Sequence, residues 1–283
     1  MIWESLQVKD LSKAIQFIGE MEWVCEHLFT RLLKKQKQKS IAPDHIWISY
    51  EDGNPKGILY LSNQGLLLPY LPFLDEKPID SHFHQLKHMI PLKTIRIYSI
   101  VGKRLFVQAM EELFQFKEGV YVDYHLMTRS KSEPLPPMPI RPCFQIRKAT
   151  IDDIERILPL QILYEKEEVL IRPDLMDAEK TRKDLNLALR EQIILLGEFE
   201  GKAVAKAGTN ARGILYHQIG GVFTDPNYRG RHFARALMIR LLHEIHGEGK
   251  NACLFVKTHN RIAIHLYEEL GFQTREAFRI HYV

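Results

Sequence analysis

The sequence predicts an α/β (α+β) fold built as two domains, and three observations carry that expectation. Short β-branched or alternating runs are interleaved with apolar-periodic helical runs along all 283 residues. The stretch RSKSEPLPPMPIRP (129–142) holds five prolines and neither periodicity, so it reads as an extended linker. The segments on either side of it repeat one order of elements. The expected domains are therefore 1–128 and 143–283, joined by 129–142.

In the C-terminal half, FQIRKA (144–149) reads as a strand. Thr150 then precedes IDDIERILPLQILYEKEEV, where acids in the first turn favour a helix start and Pro159 is expected to kink or split the helix. DAEKTRKDLNLALREQ (177–192) is a second helical pattern. IILLGEFEGKAVAKAGT and RGILYHQIGGVFT supply three strands, with Glu200-Gly201 as a hairpin turn. A helix over 234–249, the strand ACLFVKT, a helix in IAIHLYEELGF stopped by Gly271 and a last strand AFRIHYV complete the half.

The N-terminal half opens with a helical stretch over roughly 10–37. Two strands about an Asp-Gly/Asn-Pro turn follow in HIWISYEDGNPKGILYLS, then a third in GLLLPYLPF, a helix (81–90), a strand (95–101), a helix (104–115) and a strand (119–127). Without a gap, TIRIYSIVGKRLFVQAMEELF (94–114) lies on NACLFVKTHNRIAIHLYEELG (251–271), with Arg104/Arg261, Glu111/Glu268, Glu112/Glu269 and Leu113/Leu270 identical. That register supports an internal duplication.

Hydrophobic content of 45%, charged content of 26% and a formal charge of +4 are those of an ordinary globular chain, and they argue against a dedicated nucleic-acid binder. Cys25, Cys143 and Cys253 are too scattered for a disulfide framework or a metal knuckle. The opening MIWESLQVKDLSKAI lacks the pattern of a signal peptide, and no apolar stretch is long enough to span a bilayer. The expected compartment is the cytoplasm, with no membrane partner.

Chemistry concentrates where a strand gives way to a helix, in VFTDPNYRGRHFARAL (222–237). A helix start presents unpaired N–H groups and the positive end of its dipole, Gly230 lets a ligand approach the backbone, and Arg229, Arg231 and Arg235 supply forked donors. The join reads as a pyrophosphate seat. It has neither the Gly-Lys-Ser/Thr of a Walker loop nor the three glycines of a dinucleotide fingerprint.

This run resembles the coenzyme A motif of the GNAT N-acyltransferase superfamily, Arg/Gln-x-x-Gly-x-Gly/Ala, and Asn260, Ala263 and LYEELGF resemble that family's closing segment. The likeness covers about 143–283. It implies two GNAT-like domains, each a mixed, mostly antiparallel sheet flanked by helices, the first degenerate and the tandem similar to known bacterial tandem GNAT proteins. It further implies an acetyl-CoA-dependent N-acetyltransferase with acetyl-CoA as co-substrate and no metal. The acceptor would be a small-molecule or peptide amine; oligomeric state is open, a homodimer included.

Residue by residue, the resemblance implies that backbone groups of Val222 and Thr224 pair with the pantetheine arm and that Gly220 and Gly221 lie near the thioester. Amides from Arg229 through Gly230, Arg231, His232 and Phe233 to Ala234 would hold the pyrophosphate, beside Arg235. Asn260 would touch the pantetheine, and the Tyr267 hydroxyl would protonate the leaving thiolate. Glu165, Glu167 and Glu168 border the acceptor side, with Glu168 as candidate base or ammonium anchor. His232 stands where the family has glycine; a helical conformation with the side chain turned away would accommodate it.

Plainer readings stand beside these. The arginines make a solvated basic face, Tyr267 packs on an amphipathic helix, and the glutamates are helix-end charges. His84 and His88 lie four apart on a helix but lack a further ligand at metal spacing, so they read as surface histidines. His217 faces either the acceptor cleft or the core. In the ungapped register Lys103 stands for Asn260 and Met110 for Tyr267, so the first domain is expected to lack coenzyme. A non-catalytic acyl-CoA sensor and a nucleic-acid module using 229–240 remain as rival functions.

Overall fold

The computed structural model describes residues 1–19, 21–75, 81–91, 94–116, 118–139 and 142–283; the side chains of Ser81, His82, His84 and Gln85 lie outside this description. The chain divides into two compact units. The first is Met1–Met127 with Phe255–Asn260 and Thr274–Val283; the second is Thr128–Leu254 with Arg261–Gln273. Neither unit is one contiguous stretch, because the last strand leaves the C-terminal half and joins the first unit.

The first unit carries β1 (Ile2–Ser5), α1 (Leu11–Gly19), α2 (Glu26–Gln38), β2 (His45–Glu51), β3 (Asn54–Leu61), β4 (Leu66–Tyr70), α3 (Ser81–Met89), β5 (Ser99–Lys103), α4 (Arg104–Phe114), most of β6 (Val120–Arg129) and most of β12 (Gln273–Tyr282). Its strands run in the order β1-β2-β3-β4-β5-β12-β6. β2 and β3 turn about Asp52 and Gly53, whose φ angles of 51° and 77° are those of a two-residue primed turn. The helical stretch expected over 10–37 is two helices, because the chain turns through a 3-10 segment at Glu22–Val24. The strand expected at 95–101 begins later, at Ser99, and β1 has no counterpart in the expected elements.

β4 and β5 are parallel over Leu66↔Ser99 and Leu67↔Ile100, whereas β12 pairs antiparallel with β5 from Phe278↔Lys103 to Tyr282↔Ser99. On β12, Arg279 is buried against Asp123 (Nε–Oδ1 2.8 Å) and Glu111 (3.3 Å), with its guanidinium 4.0 Å from the Tyr121 ring. That pairing compensates the charge that burial would otherwise penalise.

The second unit carries β7 (Phe144–Lys148), α5 (Ile154–Tyr164), α6 (Ala178–Glu191), β8 (Ile194–Phe199), β9 (Lys202–Arg212), β10 (Tyr216–Thr224), α7 (Phe233–Gly247), the first residues of β11 (Asn251–Lys257) and α8 (Arg261–Glu269). Strand order is β11-β10-β9-β8-β7, antiparallel except for β10 and β11. Glu200 and Gly201 (φ 51° and 78°) form the expected primed turn between β8 and β9. Thr150 and Asp153 make a reciprocal capping box ahead of α5. Arg147 grips Asp153 with two bonds of 2.6 and 2.7 Å and holds its carboxyl well below the usual carboxylate range.

Pro159 does not split α5, which runs unbroken to Tyr164. Ile157, Leu158 and Leu160 on either side are buried with Leu185, Leu196 and Phe223, and that packing offsets the bond a proline cannot make. The irregularity comes one turn later, in a π-turn at Glu165–Val169.

α8 ends at Gly271 (φ 86°), with Phe272 N–H on Tyr267 O and Gly271 N–H on Glu268 O. The Leu270 carbonyl accepts 2.6 Å from Nε of Arg129, a residue only 1% exposed. The same guanidinium donates to Ser130, Glu133 and Pro134 carbonyls and meets His246 Nε2 at 3.2 Å. Arg129→Met strips donors from four carbonyls and is expected to cost about 2–4 kcal/mol in a urea titration. A loss below about 0.5 kcal/mol would mean that water replaces the guanidinium.

Candidate functional site

β10 ends at Thr224, and the chain reaches α7 through a tight sequence of turns. Asp225 accepts from the Asn227 amide, Pro226–Tyr228 make a 3-10 turn, Gly230 has φ 76° and His232 has φ 59°, ψ 22°. His232 is therefore not helical, as its accommodation was expected to require; it caps α7 from the left-handed region. Glycine enters that region freely, while another residue gives up about 1–2 kcal/mol. Phe233 opens the helix with its ring stacked on Phe144, centroids 4.0 Å apart.

The first bond inside α7 runs from Ala236 N to His232 O (3.1 Å). Among the described residues, no acceptor meets the amides of Gly230, Arg231, His232, Phe233, Ala234 or Arg235. They form a row of donors at the positive end of a 15-residue helix. The Arg229 amide is not one of them, since it points to Pro226 O at 3.4 Å.

Two of the three arginines are neutralised within the unit. Arg229 Nη2 contacts both oxygens of Glu167 (2.8 and 2.7 Å), and its Nε donates to Thr224 O (3.2 Å). Arg235 pairs with Glu269 at 2.6 Å. Arg231 lies over the rings of Phe199 and Tyr228, at 5.2 and 5.5 Å, with no ion pair among the described residues. The positive character of this join thus comes from backbone amides and one arginine.

Further back, β10 pairs with β11 only over Tyr216↔Asn251, His217↔Ala252 and Gln218↔Cys253. Against β9, Gly220 opposes Gly208 and Phe223 opposes Lys206, so Gly221 and Val222 form a bulge opposite Ala207 alone. Gly221 adopts φ 62°, and its carbonyl accepts from Lys206 Nζ at 2.9 Å. Lys206 is 4% exposed, lies 4.4 Å from the Tyr164 ring and is pushed down to about 7 by burial, against a smaller opposing pull from Glu165. Buried acceptors at Gln218 Oε1 and Thr224 Oγ1 have no partner among the described residues.

Tyr267, on α8, is buried, and burial pushes its hydroxyl well above the ordinary phenol value, with Tyr164 and Glu168 adding to the shift. Tyr267, Tyr164 and Glu168 therefore share one electrostatic environment. Glu165 is committed elsewhere: its oxygens accept from Gln161 (2.8 Å) and Thr181 (2.6 Å). Glu167 holds Arg229, so of the three glutamates Glu168 is the one that senses Tyr267.

Asn260 belongs to the first unit, where its amide donates to Lys257 O (2.9 Å); its part in a coenzyme site stays with the resemblance. His217 is a core residue, 2% exposed, with Nε2 on Glu248 (2.9 Å) and Nδ1 on Tyr216 O (3.0 Å). The metal reading of His84 and His88 involves a side chain outside the described residues. In the first unit Met110 is buried in the core and Lys103 is bonded to Asp75 and Glu276.

Lys206 and Tyr164 were not among the expected site residues. In KAVAKAGT (202–209) a lysine at every fourth place also suits an exposed strand face, so the sequence carries no signal of burial.

Residues 159–272 match the model of the Acetyltransferase (GNAT) family. That segment is similar in sequence to GNAT acetyltransferases. The fold agrees along the whole chain. A Drosophila protein of known structure matches with a TM-score of 0.70 at 12% identity, covering 100% of this chain and 98% of that one. A GNAT-family acetyltransferase from Colwellia psychrerythraea gives 0.59 at 10%, covering 100% and 99%. A tandem GNAT protein from the clavulanic acid biosynthesis pathway gives 0.60 at 9%, covering 99% and 97%. No curated protein matches the sequence. Both the row of amides and the bulge lie inside the GNAT segment, and the likeness over the full length makes the fold one of two GNAT-like domains.

Two outcomes follow from this geometry. His232→Gly trades relief of the left-handed strain against a more flexible unfolded chain, so stability should change by less than about 0.5 kcal/mol, while His232→Val should cost about 1–2 kcal/mol. Equal tolerance of both in thermal unfolding would contradict the cap described here. Lys206, neutral in the folded state above about 7 and charged when unfolded up to its ordinary 10.5, makes the unfolded state bind the extra proton. Stability should therefore rise between pH 7 and 9 by about 1.4 kcal/mol per unit, and Lys206→Met should flatten that rise.

Proposed function

We propose that this protein is an acetyl-CoA-dependent N-acetyltransferase whose chemistry lies within 143–283, with 1–128 a GNAT-like scaffold without coenzyme. The observation that supports it most is the row of six unpartnered amides from Gly230 to Arg235, continuous with a strand that loses its β11 partner after Gln218. Phosphate oxygens match the row in charge and geometry. The half-buried stretch of β10 at Val222 and Thr224, beyond its last β11 pair, suits the pantetheine arm as an added strand. The arm would bring the thioester to Gly220–Gly221.

In this reading the acceptor's nitrogen lone pair attacks the thioester carbon, the C–S bond breaks, and the sulfur leaves as a thiolate. Tyr267 stays protonated across the working range because burial raises it, so a phenol proton is available when the thiolate forms. Glu168 receives or anchors the proton of the attacking amine. Holding both partners in one cleft supplies much of the rate. The acceptor is a small-molecule or peptide amine, and the setting is cytoplasmic.

Calorimetric titration of acetyl-CoA into the intact protein should give micromolar binding, and a thiol-release screen of amines should then find an acceptor. Tyr267→Phe should keep the dissociation constant within about threefold while turnover drops by roughly a hundredfold. Unchanged turnover would remove Tyr267 from the chemistry; undiminished binding without any acceptor would favour the sensor reading. Absence of binding in the wild type would defeat the proposal.

A further inference from the structure

Lys206 is an expensive residue to bury. It comes from the middle of β9, is 4% exposed, and has no carboxylate at ion-pair distance among the described residues. Among the described residues its hydrogen-bond acceptor is the Gly221 carbonyl at 2.9 Å, and its nitrogen lies 4.4 Å from the centre of the Tyr164 ring. The nearest acid that acts on it, Glu165, has both oxygens engaged by Gln161 and Thr181. An amine kept in such a place needs a reason other than stability.

The reason lies in the bulge. With Gly220 opposite Gly208 and Phe223 opposite Lys206, two residues of β10 face one of β9, and the ladder cannot satisfy every carbonyl between them. Lys206 supplies the missing donor. The fit is mutual: a Cβ on Gly221 would stand 2.9 Å from Nζ, and Gly221 holds φ 62°, so a side chain there would both strain the backbone and displace the amine. Tyr164 closes the pocket from α5, and its ring packs on Phe223, the residue that ends the bulge (centroids 6.1 Å apart).

We propose that Lys206 is a positioning residue for acyl transfer, its side-chain nitrogen clamping the Gly221 carbonyl beneath Tyr164 so that the β10 bulge presents a fixed wall to the acyl group. The inference rests on the reading that places the thioester at Gly220–Gly221. It goes beyond it by assigning the acyl end of the site a clamp of its own, separate from the amides of Gly230–Arg235. Without the amine, the extra residue can slip into the regular ladder, and a slip by one residue turns every following side chain to the other face. The acyl end then loses its shape while the phosphate end keeps its own.

The test compares wild type, Lys206→Met and Tyr164→Leu as full chains, by hydrogen exchange and by calorimetry with acetyl-CoA and with CoA. Loss of the clamp should speed exchange in 219–223 about tenfold, leave 233–247 unchanged, weaken acetyl-CoA about tenfold and alter CoA less than about threefold. Tyr164→Leu, which leaves the amine in place but opens its lid, should shift all four readings in the same direction and by less. Wild type that binds acetyl-CoA, with Lys206→Met binding it equally well, overturns the clamp alone. Equal weakening of both ligands, with faster exchange throughout the second unit, also overturns it, since that is a general loss of fold. Wild type that binds neither ligand removes the coenzyme reading and the clamp with it.

Discussion

A strand that bulges against its neighbour must find other partners for the carbonyls the ladder misses, and beyond Gln218 β10 satisfies two of them with side chains. On the β9 side the Gly221 carbonyl goes to Lys206, and beyond the bulge the Thr224 carbonyl accepts from Arg229. Each rescue brings in a long basic side chain that alternating strand chemistry would not call for. Each also ties β10 to a different element, through Tyr164 to α5 and through Glu167 to the π-turn that follows it. The residues around the expected acyl and phosphate ends are thus held by the need to satisfy one strand.

This arrangement changes where the positive charge is understood to lie. From sequence, three arginines crowd the start of α7. In the fold, Arg229 and Arg235 each have a carboxylate partner, and these pairs are largely exposed, so they contribute little to stability. What remains, besides Arg231, is a run of six N–H groups with no acceptor among the described residues, beside turns at Gly230 and His232 and the Phe144–Phe233 stack. An anion seated there would be held by geometry first. The puzzle of His232 resolves into the same geometry, because the position needs a positive φ and a capping carbonyl for Ala236, and a histidine provides both at the cost of some strain.

Much of this was legible in the sequence. Periodicity gave the elements of both halves, Asp52-Gly53 and Glu200-Gly201 announced their turns, and the strand-to-helix join with its glycine and arginines stood out at once. What stayed hidden depended on packing. Pro159 is carried through α5 by its buried neighbours, and the break in the 10–37 stretch has no proline to mark it. Glu165 and Glu168 look alike in LYEKEE, yet one is bound up by Gln161 and Thr181 while the other lies near Tyr267. Lys206 could not be told from a surface lysine, since burial of a single strand position is decided by what the bulge opposite it needs.

The placement of the last strand bears on how the two halves depend on each other in sequence. β12 follows α8 directly, yet its partner in the sheet is β5, and Arg279 on it is matched by Asp123 and Glu111 from the N-terminal half. A chain cut within 129–142 would therefore yield a C-terminal piece carrying a strand with a buried arginine but none of its acids. The N-terminal piece would hold those acids and an open β5 edge, the kind of edge that invites wrong pairing. Here β12 pairs with β5, so the last strand of the C-terminal half folds with residues of the N-terminal half.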